Sequence, residues 1–179
     1  CSWFVAGTKI TDLTLEDVTV VARSTNNPDA TLTVNADGVQ MRGCTAGFFA
    51  IGQRSSRSSR PNVIEDCSFA LKPGTVLVQT PVTNPVHLVR CTITGLDGTS
   101  LNGPGPVRFT DCTLTGDPAG AQVKVASADV ALLGSTLRDV AVQLTAVRDQ
   151  RLVVDGGTTV TGTTGGEAFF SRLSSASNA

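Results

Sequence analysis

The chain repeats itself. When its 179 residues are set in rows so that four of the cysteines share a column, that column reads Val18, Cys44, Cys67, Cys91, Cys112, Ser135 and Gly157. Successive members stand about 23 residues apart. Five places earlier stand Leu13, Val39, Asn62, Val86, Val107, Val130 and Leu152. Three places earlier come Leu15, Met41, Ile64, Leu88, Phe109, Leu132 and Val154. Two places later come Val20, Ala46, Phe69, Ile93, Leu114, Leu137 and Thr159. Apolar and polar residues alternate on each side of the column, as strands with one buried face require. The alternation slips by one residue just before the column. A slip of that kind predicts a bend or bulge, because side chains otherwise keep alternating faces.

Each row also carries a second strand-like run: ATLTVNA, GFFAIG, TVLVQT, AQVKVAS, VAVQLTA and EAFFSRL, with the weakest version in GLDGTSLNGPGP. Turn residues separate the runs, and no stretch holds a helical period over three turns. Each row buries its apolar side chains only if the next row stacks on it, which predicts a β-solenoid. A leucine-rich repeat has a similar length, but its Leu-x-x-Leu-x-Leu and Asn signature is missing.

These stacked rows resemble the right-handed parallel β-helix of the pectate-lyase-like superfamily. The resemblance covers residues 9 to about 173 and implies an all-β, single-stranded solenoid of about seven coils. Residues 1–173 are read as one domain and 174–179 as a disordered tail or an expression scar. Cys1 is read as a cut edge or a processing product. The ends of a solenoid need covering; CSWFV reads as a minimal plug or as the last part of an earlier coil.

The cysteine column is expected to point inward. Free cysteine packs as a small hydrophobe, so Cys44, Cys67, Cys91 and Cys112 are read as an inert internal ladder. The alternatives are a metal site or disulfides. Close Cys-x-x-Cys pairs are absent, parallel Cβ vectors suit a disulfide poorly, and five cysteines is an odd number.

Three outward features could carry chemistry. The place just before the column reads Asp17, Gly43, Asp66, Arg90, Asp111, Gly134 and Gly156. It is expected to be a surface charge ladder with Arg90 between two aspartates. The resemblance implies a sharper alternative, since pectate lyases bind calcium through clustered aspartates and remove a proton with an arginine. Asp66, Arg90 and Asp111, with Glu65 beside them, are the residues that could match. The polygalacturonase motifs Asn-Thr-Asp, Asp-Asp, Gly-His-Gly and Arg-Ile-Lys are all absent. The sole histidine, His87, is expected outward with Val63 and Arg108 as neighbours. In QRSSRSSRP, residues 53–61, Arg54, Arg57 and Arg60 could grip an acidic sugar, a phosphate or a protein carboxylate. The bland reading of that loop is a solvated insertion.

The place after the column holds only Ser and Thr: Thr19, Thr45, Ser68, Thr92, Thr113, Thr136 and Thr158. The row resembles the Thr-x-Thr face of some β-helical ice-binding proteins. Its partners two places on include Val21, Gly47, Ala70, Arg138 and Val160, which break the lattice.

Charged residues make up 16% and the net charge is -1, so long-range steering toward nucleic acid or an anionic membrane is not expected. No apolar run is long enough to span a bilayer. Trp3 is the single tryptophan, and Phe69 and Phe109 are expected inside, with one each of Phe48/Phe49 and Phe169/Phe170, leaving few rings for sugar stacking. The expected function is a non-catalytic interaction or scaffold module of a larger bacterial protein, with other domains or a protein partner as its ligand. In the family such modules accompany other domains, Ser/Thr kinase domains among them. The alternative is a carbohydrate-active or glycan-binding domain, with Ca²⁺ as cofactor and an acidic glycan as ligand. An ice-binding face, a trimeric fibre segment, and self-association through the coil ends complete the list. Unpaired cysteines lean toward the cytoplasm, with the cell surface or secretion left open.

Overall fold

A computed structural model of the chain describes residues 2–21, 31–52, 59–79, 82–117, 121–126, 129–145, 150–162 and 169–171. Among these residues all regular structure is β, arranged in three parallel sheets. The eight-stranded sheet runs Ser2–Thr11, Thr31–Asp37, Phe48–Gly52, Val76–Val78, Ser100–Leu101, Ala121–Val125, Val140–Leu144 and Phe169–Ser171. The seven-stranded sheet runs Thr14–Glu16, Gln40–Arg42, Asn62–Glu65, Val86–Val89, Val107–Thr110, Val130–Leu133 and Leu152–Val154. The six-stranded sheet runs Thr45–Ala46, Ser68–Ala70, Thr92–Thr94, Thr113–Thr115, Thr136–Arg138 and Thr159–Thr161, and a bridge from Thr19 to Thr45 extends it. The chain visits the sheets in turn and returns to each about 23 residues later, which is the stacked-coil architecture of a β-solenoid. The first segment continues the stack as a strand, in keeping with the earlier-coil reading: Ser2–Thr11 pairs in parallel with Thr31–Asp37.

Register follows the repeat. Leu88 pairs with Ile64 on one side and Phe109 on the other, and Ile93 with Phe69 and Leu114. Stacked apolar columns thus form one continuous core between the sheets. Phe49 and Phe69, from different sheets, stack inside it with ring centroids 4.3 Å apart. Phe109 is also buried, Phe48 is half-exposed, and Phe169 packs against the core from the last strand. Full burial of one such side chain is worth about 1.5–3 kcal/mol.

One row departs from the expected frame. Thr136 pairs with Thr159 and Leu137 with Val160, although Leu132 still pairs with Val154. The column residue of that coil is therefore Thr158, not Gly157, and the inward residue after it is Val160, not Thr159. Gly157, rather than Gly156, lies against Gly134. The cause is one extra residue in the Asp155–Gly157 turn. The Asp155 carboxylate accepts the Gly134 N–H at 2.9 Å, and the Thr158 N–H donates to the Asp155 carbonyl at 3.2 Å, so the turn absorbs the insertion.

Candidate functional site

The phase slip has a backbone cause. Asp17, Gly43, Asp66, Arg90, Asp111 and Gly134 all have φ between 51° and 63°. They occupy the left-handed region, which glycine enters freely and which aspartate tolerates better than most residues. In each of these six coils one left-handed residue turns the chain from the seven-stranded to the six-stranded sheet. The column read as a charge ladder is first a column of corners. Its aspartates and glycines also interlock between coils: a Cβ on Gly134 would stand 2.5 Å from Asp111 Oδ1.

Arg90 does not bridge the two aspartates expected to flank it. Its Nε donates to Asp66 Oδ1 at 2.8 Å and its Nη2 to Asp66 Oδ2 at 3.1 Å. The same Nη2 also donates to Glu65 Oε1. Both partners belong to the preceding coil. Asp111 makes no ion pair among the described residues and leans instead over Gly134. Arg42 approaches Asp66 Oδ2 more loosely, at 3.7 Å. The Arg90 guanidinium beside Asp66 holds its carboxyl below the usual carboxylate range. In return Asp66, and then Glu65, hold Arg90 protonated more firmly than usual. A guanidinium held that way is poorly placed to remove a proton. The single charge of Arg90 faces both the Asp66 and the Glu65 carboxylates, so a calcium ion would have to displace it. Among the described residues no group of three or more His, Cys, Asp or Glu is arranged to hold a metal.

Cys44, Cys67, Cys91 and Cys112 are buried and free. They do more than pack. Cys67 Sγ accepts the Cys44 N–H at 3.3 Å, and Ser135 Oγ accepts the Cys112 N–H at 3.1 Å. Each thiol also donates to the carbonyl two residues before it, as Cys112 Sγ does to Thr110 at 3.4 Å and Ser135 Oγ to Leu133 at 3.1 Å. The slot thus wants a small side chain with both a donor and a lone pair, which Cys, Ser and Thr supply. The other end of the strand uses the same device: Asn62 Oδ1 accepts the Val39 N–H at 3.0 Å, which explains an amide in an apolar column. Burial pushes the Cys44 thiol up. The Cys91 thiol is pushed up to about 12, first by its hydrogen bond to Cys112 and then by burial, against the contact with Cys67. Such thiols are weak nucleophiles.

Of the arginine loop, Arg54 and Arg57 lie outside the described residues. Arg60 is exposed, and its Nη1 stands 3.4 Å from Asp12 Oδ1. His87 is half-buried in the register expected for it, between Val63 and Arg108. Burial, and then the Arg108 charge, push its pKa below the ordinary histidine value. On the six-stranded sheet the corrected frame puts Thr161, not Val160, outward beside Thr159, and Thr159 Oγ1 donates to Thr136 Oγ1 at 3.2 Å. Arg138 still interrupts the second row.

Compared with family models, with curated proteins and with solved structures, the chain matches none. No helix among the described residues is long and apolar enough to cross a membrane.

Proposed function

We propose that this chain is a non-catalytic β-solenoid module, right-handed and of the pectate-lyase-like type, that serves as an interaction scaffold within a larger bacterial protein. A companion domain of that protein, such as a Ser/Thr kinase-type domain, or a separate protein is its partner. The observation that supports this reading is the Arg90 clasp: Arg90, Asp66 and Glu65 hold one another at a corner of the fold, which engages Arg90 in structure rather than in acid–base work. A glycan-binding reading has one observation in its favour, a shallow groove of about 170 Å³ lined by Thr14, Glu16, Gln40, Arg42, Val63 and Glu65.

A thermal-shift series with Ca²⁺ and acidic oligosaccharides, read in parallel with the ultraviolet absorbance of lyase products, separates the two. The scaffold reading expects no product and no stabilisation beyond that of an ionic-strength control. A stabilisation that Asp66→Ala and Asp111→Ala abolish would overturn it in favour of a carbohydrate site.

A further inference from the structure

We draw no further inference here: the strongest candidate, the outer face of the six-stranded sheet from Thr45 to Thr161, is a periodic stripe of small hydroxyl side chains interrupted by Ala70 and Arg138, and nothing in the structure shows what covers it.

Discussion

Ser135 shows what the cysteine column is for. Its hydroxyl accepts the backbone N–H of Cys112 from the coil before and donates to Leu133, so a side chain completes the hydrogen bonding at a corner that the sheet ladders leave open. Ser135→Ala removes the acceptor and strands a buried donor, a loss of about 1–3 kcal/mol. Ser135→Cys keeps an acceptor of the kind used in the coils above. Urea denaturation should show a large drop in midpoint for the alanine variant and a much smaller one for the cysteine variant. Equal drops would mean that the slot selects size alone. Thr99 is the opposite case. Its hydroxyl is fully buried without a hydrogen-bond partner, at the wall of an interior cavity of about 10 Å³ that Leu77, Phe109 and Leu132 also line. The space is about that of one water, but an apolar lining offers a water too few partners. Thr99→Val should therefore raise stability by about 1 kcal/mol, since a hydroxyl without a partner costs free energy to bury. A fall in the denaturation midpoint would show that the hydroxyl is satisfied after all.

In the strands, position within the stack sets how His87 titrates. His87, on Val86–Val89, faces Val63 on one side and the Arg108 charge on the other. Its pKa is depressed in the fold, so the unfolded chain binds the proton more tightly. Stability linked to His87 is present above the unfolded value near 6.5 and is lost as pH falls through and below it. Melting temperature should fall between about pH 7 and pH 5, and His87→Gln should flatten that part of the curve. An unchanged slope would place the acid sensitivity elsewhere. Asp66 behaves in the same direction at lower pH: its carboxyl is held down by Arg90, so its contribution disappears as the carboxylate range is crossed. The strands are legible in the sequence because burial acts alike on the coils between the two ends, while Val153 and Val154 in the last are exposed. Ile64, Leu88 and Phe109 share a column for the same reason that they share a face. The corners were harder to read. Asp17, Gly43, Asp66 and Asp111 look like charges with gaps until backbone conformation is considered, and then aspartate and glycine are two answers to one steric demand. Arg90 hid that demand, since arginine has no special tolerance for positive φ. The hydrogen-bonding role of the cysteines has a signal too, in Ser135 and Asn62 standing in columns that are otherwise mostly apolar.

For the molecule as a whole, one core runs through the coils, and Cys44, Cys67, Cys91 and Cys112 sample it at successive levels. A thiol reagent should leave all four untouched in the native protein at pH 8, because all four are buried. In rising denaturant they should react together if the stack unfolds as a unit. Reaction in order along the chain would show that it opens coil by coil, as nearest-neighbour stacking permits. The frame of the last coil is not legible in the sequence, because a period carries no record of where an extra residue is absorbed. The turn at Asp155–Gly157 takes one in and leaves Leu152–Val154 and Thr159–Thr161 both correctly paired. Corners of this kind work like the punctuation of a reading frame. A residue added inside Val107–Thr110 would turn every later side chain of that strand to the wrong face, whereas one added at a corner goes no further than the next glycine. Such a chain can grow or shrink by whole coils, and can take in a single residue only at its bends.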